Sequence, residues 1–452
     1  MNVTTIRDAI LSGDTCLGME FGSTRIKAIL IDGTHRVIAS GAVQWENRLE
    51  DGIWTYDLCD AVSKMQACYG ALKADVEEKY GVALRQIGQI CISGMMHGLL
   101  ALDENGEPVT RFRTWRNTMT EEESEILSEL FGMTIPQRWS AAHLCQLMRT
   151  EPQTAARIRR MTTLSGYIHW LLTGEFVLGC CDAGGMLPID VFAEPLCYYP
   201  HMTEHLDRLA REAGMPWTLL QIFPRILRAG DAAGVLTADG AALLDPTGAL
   251  CAGIPFCPPE GDGGTGMVCT GGLAPGNGTV SAGTSTFALF VLDAPLMSTD
   301  RRLEPAVTPG GRPAVQIHGS NGTSEIDGFV SMFADGMKRL GLPVEMEEIY
   351  AMLLGSAVEG GGDAGEILAY NFLSGEHLVG LSAGRPMYVR TPQSHLTLNG
   401  FMRAQLFAVF APLMYGFSLL HDEVRGKIRS VRAHGGLFRT RGTVQRVLAS
   451  AM

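Results

Sequence analysis

The chain has 452 residues, of which 46% are hydrophobic and 19% are charged, so it is long enough for two or three domains with real cores. Its net charge is −12 and it has no basic patch with interleaved aromatic residues, which argues against nucleic acid as a partner. The first residues lack the apolar core of a signal peptide, and no apolar run is long enough to span a membrane. The 11 cysteines contain no C-x-x-C pair, which predicts reduced thiols in a cytoplasmic protein.

The first half of the chain predicts alternating strands and helices. Residues 15–45 have the pattern of two or three strands joined by turns, and residues 57–80 have the 3.6-residue period of an amphipathic helix. Short apolar strands are predicted at 87–94 and 99–103. This order is typical of an α/β layer architecture.

The middle of the chain predicts mainly helices and then a domain boundary. Residues 119–175 are mostly helical in pattern, and Thr120 with Glu123 predicts a capping box at the first of these helices. A Pro/Gly-rich run at 253–261 separates two lobes, which we place at 1–258 and 259–452.

The second lobe repeats the plan of the first. Its predicted elements are a hairpin at 279–292, a strand at 314–318, helices near 327–340, 345–355 and 400–421, a strand into a turn at 428–436, and a last helix.

Two glycine-hydroxyl turns, one near the start of each lobe, are candidate phosphate-binding sites. Glycine lets the backbone approach a ligand closely, and successive N–H groups of such a turn form an anion nest. Either turn alone is more often an ordinary hairpin, but the pair predicts two lobes that hold one phosphate chain. The candidate residues are Gly22, Ser23, Thr24, Gly283, Thr284 and Ser285.

Asp262 is the candidate catalytic base. It is flanked by glycines in the segment 260–266, so its carboxylate can reach a ligand with little steric hindrance. An ordinary Asp-Gly turn is the alternative. Asp231, in the similar segment 230–234, is a weaker candidate because it precedes a polar turn that enters a helix.

Other candidates lie at predicted strand ends. Glu20 precedes the first turn and could hold Mg²⁺, which prefers oxygen ligands, or could be a solvent-facing charge. His97 lies in a turn at the end of a strand, where α/β sheets bind ligands, although a lone histidine is more often structural. Trp115 could stack on a sugar or cover a core, and Asn117 could bond a hydroxyl.

Taken in order, these motifs resemble those of the FGGY family of carbohydrate kinases, within the actin-like ATPase superfamily. The resemblance covers nearly the whole chain. The matching segments are 19–27, 92–98, 164–174 with Asp182 after it, 261–264, 282–285, 371–376 and 433–436. The resemblance implies an α/β fold with two ribonuclease H-like lobes, each a mixed sheet flanked by helices, and an active site in the cleft between them.

The resemblance also implies a reaction and roles for individual residues. Asp262 would accept the proton of a sugar hydroxyl during phosphoryl transfer from ATP with Mg²⁺, and the sugar would be a ketose or polyol, a pentulose or hexulose first of all. Glu20 and Asp262 would be the metal ligands. The phosphate path would be lined by Gly22, Ser23, Thr24, Arg25, Gly283, Thr284 and Ser285, the nucleotide by Gly328, Gly436 and Thr440, and the sugar by Met96, His97, Trp115 and Asn117.

The chain departs from the family pattern in four places, one of which is a helical family signature whose lysine and tryptophan are replaced by His143 and Gln146. Glu20 stands where the family has aspartate, the segment 115–119 lacks the usual Asp and Arg, and one predicted helix follows Gly436, so we expect a second lobe that is incomplete at its C-terminal end. These departures keep open a catalytically impaired relative that binds nucleotide or sugar. An ATPase of chaperone or actin type is a third reading, and a homodimer is the assembly that the resemblance allows.

Overall fold

The structure is a computed structural model that describes residues 3–359, 363–440 and 442–452. Its contacts divide the chain into two compact units, each with its own sheet and core, as predicted for two α/β lobes. The first comprises Met1–Thr265, Met297–Thr299 and Ala306–Pro313, and the second comprises Gly266–Leu296, Asp300–Pro305 and Ala314–Met452. The division follows Thr265, whereas the boundary expected from the sequence lay at residue 258.

Strands and helices alternate in the first unit. Its strands are β1 (Thr15–Phe21), β2 (Arg25–Asp32), β3 (Val37–Gln44), β4 (Arg48–Glu50), β5 (Ile53–Thr55), β6 (Gln89–Gly94), β7 (Leu100–Leu102), β8 (Arg160–Thr162), β9 (Val177–Gly179), β10 (Ile189–Asp190), β11 (Cys197–Tyr198), β12 (Arg225–Leu227) and β13 (Glu260–Gly261). Its helices are α1 (Val3–Ser12), α2 (Leu58–Tyr80), α3 (Glu121–Phe131), α4 (Ser140–Thr150), α5 (Pro152–Ala156), α6 (Leu164–Thr173), α7 (Cys180–Gly184), α8 (Pro200–Glu212), α9 (Leu219–Ile222) and α10 (Ala238–Leu244). Helix α11 (Asp262–Thr270) crosses the division between the units.

The sheet of the first unit is mixed, in the order β3-β2-β1-β6-β13. Strands β1, β2 and β3 form an antiparallel meander, and β1, β6 and β13 run parallel. In β2 buried and exposed side chains alternate, because one face of the strand packs on the core. The carboxyl ends of the three parallel strands therefore meet at one edge of the sheet.

Helix α2 confirms the amphipathic helix predicted at 57–80. Asp57 caps its start by accepting a bond from the N–H of Asp60, and Gly81 ends it in the left-handed conformation. Its buried face packs on β3 at Gly41, where a Cβ would overlap the backbone of Cys68 and Leu72.

The capping box predicted for Thr120 and Glu123 is wrong, although helix α3 begins there as expected. The Thr120 hydroxyl donates to the carbonyl of Gln137 at 2.5 Å. The Glu123 carboxylate instead accepts from the guanidinium of Arg149 at 2.7 Å. Both side chains are drawn away from the helix start by tertiary partners.

The prediction of reduced thiols throughout is wrong for one pair, since Cys91 and Cys257 form a disulfide. A parallel bridge between Ile90 and Phe256 places the two residues side by side, with their Cα atoms 5.0 Å apart. The other nine cysteines are free thiols.

The second unit follows the predicted order of elements. Its strands are β14 (Asn277–Ala282), β15 (Thr286–Val291), β16 (Glu304–Val307), β17 (Pro313–Gly319), β18 (Ile367–Tyr370), β19 (Met387–Arg390) and β20 (Ser430–His434). Its helices are α12 (Ser324–Arg339), α13 (Met346–Ser356), α14 (Leu398–Ser418), α15 (Asp422–Arg425) and α16 (Val444–Ala451), with 3₁₀ turns at His377–Val379 and Gly436–Arg439.

The second sheet has the order β16-β17-β15-β14-β20, in which β14 pairs antiparallel with β15 and parallel with β20. Its core lies between this sheet and helices α12, α13 and α14. Across the described ranges of the chain, no helix combines the length and the apolar character needed to cross a bilayer.

Candidate active site

Three parallel strands bring the acidic candidates of the first unit to one edge of its sheet. The register pairs Glu20 on β1 with Ser93 on β6, and Ser93 with Glu260 on β13. Asp262 follows β13 directly as the first residue of α11. Residues far apart in sequence thus converge because the strands end together.

Asp262 has the environment of a base that works near neutral pH. Its side chain is exposed to solvent, and Oδ1 accepts from the N–H of Gly263 at 2.9 Å. Desolvation by the surrounding protein, together with the negative charge of Glu20, raises the pKa of this carboxyl to about 6. The raised pKa identifies Asp262 as a functional candidate on physical grounds.

Glu20 lies beside the first glycine-hydroxyl turn. A Cβ on Gly22 would come within 3.3 Å of Glu20 Oε1, so the carboxylate folds over the start of the turn. Its other oxygen, Oε2, is 3.1 Å from Lys27 Nζ, and both side chains are largely exposed. No group of three His, Cys, Asp or Glu side chains suited to a metal occurs among the described residues, so a metal role for Glu20 and Asp262 stays a prediction.

The first turn is held by its carbonyl groups. Trp45 Nε1 donates to the carbonyl of Gly22 at 2.6 Å, and the Tyr56 hydroxyl donates to that of Ser23 at 2.7 Å. Within the part of the chain that the structure describes, the N–H groups of Ser23 and Thr24 have no acceptor. The turn therefore offers free backbone donors, as an anion nest requires. The side chains at its exposed tip are Ser23, Thr24 and Arg25.

His97 is a buried, strained residue in the turn after β6. Its φ of 72° lies in the left-handed region, and its ring stacks on that of Trp139 with 6.4 Å between centroids. Burial, and then the positive charge of Arg138, lower the pKa of His97 well below its usual value, so the ring is neutral. Nδ1 is 3.4 Å from the carbonyl of Gly185, which can only accept, so Nδ1 carries the proton and Nε2 is an acceptor.

Met96 joins the histidine turn to the strand before Asp262. A Cβ on Gly261 would overlap the side chain of Met96, so the two residues are in direct contact. Glycine at 261 is what lets this thioether lie beside the candidate base.

The structure places the other two sugar candidates in the scaffold. Trp115 is partly buried and packs on the core of the first unit. Asn117 is buried, and its amide makes three bonds to backbone groups, two with Trp54 and one with the carbonyl of Thr114. Contact of either residue with a sugar stays a prediction.

Two buried carboxyl groups lie close to Asp262: Asp182, which the sequence noted only for its family resemblance, and Glu260, to which it gave no role. Asp182 accepts from the hydroxyls of Thr163 and Ser165 at 2.7 and 2.5 Å, and Glu260 accepts from the N–H groups of Cys181 and Asp182 at 3.3 and 3.0 Å. Burial raises the pKa of Asp182 to about 7 and that of Glu260 to about 8. In the sequence, Glu260 stands beside a Gly-Asp-Gly segment that is typical of an exposed turn, so the sequence indicates a surface charge. Its burial is seen only in the folded chain.

The segment 230–234, which contains the weaker candidate Asp231, forms an ordinary turn. Asp231 is exposed, and its Oδ2 accepts from the N–H of Arg228 at 2.8 Å. Its glycine neighbours, Gly230 and Gly234, have positive φ angles that close the loop.

In the second unit, the other glycine-hydroxyl turn joins β14 to β15. The N–H of Gly283 donates to the carbonyl of Ser285 at 3.0 Å, and the carbonyl of Gly283 accepts from the N–H of Thr323, which precedes α12, at 2.8 Å. Thr284 is exposed at the tip. Gly435 lies against the strand end, since a Cβ there would overlap the carbonyl of Ala282.

The remaining nucleotide candidates, Gly328, Gly436 and Thr440, also belong to the second unit. Gly436 is exposed and begins the 3₁₀ turn after β20, whose other end is followed by Thr440. Gly328 is exposed on the early part of α12, with open space where a Cβ would be. The structure thus brings Gly436 beside the second turn and leaves the contacts of Gly328 and Thr440 with a nucleotide as predictions.

Two buried residues support the second turn: Asn321, which the sequence did not indicate, and Glu376, which it noted only within a family segment. Glu376 accepts from the N–H of Ser320 and from the amide of Asn321 at 3.0 and 3.2 Å. The next residue, Gly322, packs directly on the backbone of Gly283 and Thr284. The segment 371–376, noted in the sequence for its family resemblance, therefore supports the second turn through the loop at 320–322, which packs against that turn.

Comparison with known proteins identifies the family that the sequence motifs resemble, over nearly the whole chain. The "FGGY family of carbohydrate kinases, N-terminal domain" matches residues 15–269, and the C-terminal domain of that family matches residues 278–452. The chain is 24% identical to the xylulose kinase of Haemophilus influenzae over 439 residues, which covers 93% of this chain and 82% of that protein.

Solved structures with the same fold include kinases of different sugars. The xylulose kinase of Rhodospirillum rubrum superposes with a TM-score of 0.73 at 21% identity, covering 96% of this chain and 85% of that one. The gluconate kinase of Lactobacillus acidophilus superposes with a TM-score of 0.71 at 16% identity, covering 96% and 83%. These likenesses confirm the predicted two-lobed actin-like ATPase fold.

Proposed function

Since the chain belongs to the FGGY family of carbohydrate kinases, we propose that it transfers the γ-phosphoryl group of ATP to a hydroxyl of a ketose or polyol, with Asp262 as the general base. Pentuloses and hexuloses are the first candidates, because the named relatives include xylulose kinases. Such an enzyme would work in the cytoplasm, and a homodimer is the assembly that we expect.

The observation that carries this proposal is the state of Asp262. A base must be ionised to accept a proton and basic enough to attract it, so its optimal pKa lies near the working pH. The pKa of Asp262 is raised to about 6, and the carboxyl is exposed at the edge where β1, β6 and β13 end. It is thus ionised at pH 7 and accessible to a hydroxyl.

The sugar would lie against the turn after β6. His97 is neutral with Nε2 as acceptor, so it can receive a hydrogen bond from a second hydroxyl and orient the ring or chain of the substrate. Met96 would provide an apolar wall beside the base. This pairing favours a polyhydroxylated carbon chain over a charged or aromatic substrate.

The phosphates would be held by the two glycine-hydroxyl turns. The unpaired N–H groups of Ser23 and Thr24 and the hydroxyl of Thr284 fit oxygen acceptors, and Arg25 adds a positive charge. Glu20 and Asp262 are hard oxygen donors that suit Mg²⁺. When bound, ATP supplies the phosphoryl group and Mg²⁺ neutralises part of its charge.

The test is a coupled assay of ADP release over a panel of ketoses and polyols. We expect release that depends on one class of sugar and falls by roughly 10²- to 10⁴-fold in Asp262→Ala, the range for loss of a general base. Asp231→Ala, the same change in the similar glycine-flanked turn, is the control and keeps the rate. ADP release that is equal in wild type and Asp262→Ala would exclude Asp262 as the base.

A second candidate is a relative that binds nucleotide or sugar without turnover. The ion pair between Glu20 and Lys27 favours it, because Lys27 already compensates a carboxylate that would otherwise face the metal. ATP binding by calorimetry, with no ADP release on any sugar, would select this candidate.

A further inference from the structure

The carboxyl group of Glu260 connects helix α7 to the strand that precedes Asp262. Its oxygens accept from the N–H groups of Cys181 and Asp182 in the first turn of α7, at 3.3 and 3.0 Å, and from that of Gly261 at 3.3 Å. Glu260 is buried, and Gly179 provides the space it occupies, because a Cβ there would overlap its carboxyl. The site is therefore built around this side chain.

Both ends of this connection lead to candidate site residues. On one side, Gly261 is followed by Asp262. On the other side, α7 is followed by Gly185, whose carbonyl holds Nδ1 of His97 and whose α-carbon lies so close to the ring that a Cβ would be 2.6 Å from Nδ1. A shift of α7 must therefore move His97.

We propose that Glu260 is a positioning residue that fixes α7 relative to the strand before Asp262, and so sets the distance between the sugar-binding histidine and the base. The enzymatic part rests on the proposed function. A change far from the reacting atoms that misplaces a catalytic group by about 1 Å can lower the rate about 100-fold. The benefit of holding α7 in place can therefore outweigh the cost of burying a carboxyl group.

Asp182 supports the same element from behind. Its Oδ2 accepts from Thr163 and Ser165, whereas Oδ1 is buried without a partner among the described residues. A buried carboxyl with an unpaired oxygen lowers the stability of the fold. Asp182 is such a group, and it lies on the same helix whose N–H groups donate to Glu260. The negative charge of Asp182 also contributes to the raised pKa of Glu260, after burial.

The matched variants are Glu260→Gln and Glu123→Gln. Glutamine has nearly the shape of glutamate, but its NH₂ group cannot accept a hydrogen bond, whereas either oxygen of the carboxyl can do so with or without a proton, so the contact with Cys181 or Asp182 is lost. Glu123 is also buried in the first unit, but it pairs with Arg149 and touches neither α7 nor His97. Circular dichroism verifies folding, and Glu260→Asp, whose carboxyl cannot reach α7, replaces a variant that does not fold.

The first readout does not need enzyme activity. In protein labelled with ¹³C at histidine Cε1, and with His97→Gln to assign the signal, we expect the His97 resonance to move in Glu260→Gln and to stay in Glu123→Gln. An unmoved resonance in the folded Glu260 variants, or an equal shift in Glu123→Gln, would overturn the proposal.

The second readout is the split between KM and kcat. We expect Glu260→Gln to raise the KM for the sugar about tenfold and to leave the KM for ATP unchanged, because α7 leads through Gly185 to His97, which is a residue of the proposed sugar site. An equal rise in both KM values would indicate a general loss of structure and would contradict the proposal. If the wild type turns over no sugar while the His97 signal still moves, the kinase proposal fails and the positioning role stands.

Discussion

At the scale of single residues, the site is defined by how carboxyl groups are partnered. Asp262 is exposed, and its pKa is raised by desolvation and by Glu20, whereas Glu20 itself pairs with Lys27. Glu260 is buried and bound by three N–H groups. The same functional group therefore serves as candidate base, candidate metal ligand and scaffold within one edge of a sheet.

The charge of Glu20 gives a testable pH dependence. Asp262 must lose its proton to act as base, so kcat/KM should rise with pH through about 6, the raised pKa of this carboxyl. Glu20→Gln removes a negative charge that opposes ionisation, so the rising limb should move to lower pH. The measurement is a pH–rate profile from pH 4.5 to 8, and Lys27→Met is its companion, which strips Glu20 of its positive partner and should move the limb upward. A limb that stays in place in both variants would refute the electrostatic coupling.

The sequence alone could nominate candidate residues where the neighbours of a residue along the chain indicate its setting. Asp262 has a glycine on either side, and Glu20 lies near the end of an apolar segment two residues before Gly22, and both features are visible in the sequence alone. Glu260 shares only the neighbour Gly261 with Asp262, and its burial depends on Gly179, which is far away in the sequence. The local pattern could not distinguish the exposed carboxyl of Asp262 from the buried carboxyl of Glu260.

At the scale of elements, the two hairpins share a design in which other segments hold the turn. Trp45 and Tyr56 bind the carbonyls of the first turn, and the residue before α12 binds a carbonyl of the second. The strands of both hairpins were predicted because alternation of buried and exposed residues is a local signal. The side chains that hold the turns come from elsewhere, so the sequence alone did not indicate them.

The packing of α2 on β3 makes a prediction at this scale. Gly41→Ala places a methyl group against the backbone of Cys68 and Leu72, which cannot rotate away, so it should destabilise the first unit by about 1–3 kcal/mol, the usual cost of overpacking. Gly70→Ala, on the exposed face of α2 with open space around it, should instead stabilise by about 0.5–1 kcal/mol. Urea unfolding followed by circular dichroism compares them, and similar effects for both variants would contradict this account of the interface.

At the scale of the whole molecule, the central sheets of the two units share one arrangement of strands. The order β3-β2-β1-β6 in the first unit corresponds to β17-β15-β14-β20 in the second, with an antiparallel meander followed by a parallel strand in each. In the first sheet β13 continues the parallel series and leads into Asp262. The repeated order of elements was predicted from the sequence, but the strand that precedes the candidate base is only Glu260–Gly261, which is too short for periodicity to detect.

The buried carboxyl of Asp182 should make the stability of the molecule depend on pH. Its pKa is raised from 3.8 to about 7 in the folded chain, so between these values the folded state keeps a proton that the unfolded state has lost, and raising the pH lowers the free energy of unfolding. Asp182→Asn keeps an oxygen for the hydroxyls of Thr163 and Ser165 and has no proton to lose. Relative to wild type, this variant should therefore gain stability steadily from about pH 4 to about pH 7 and then level off, in urea titrations that use the exposed Asp231→Asn as control. A difference between variant and wild type that is constant over this range would mean that Asp182 is ionised throughout, and that the helix after β9 is built to hold a charge rather than a proton.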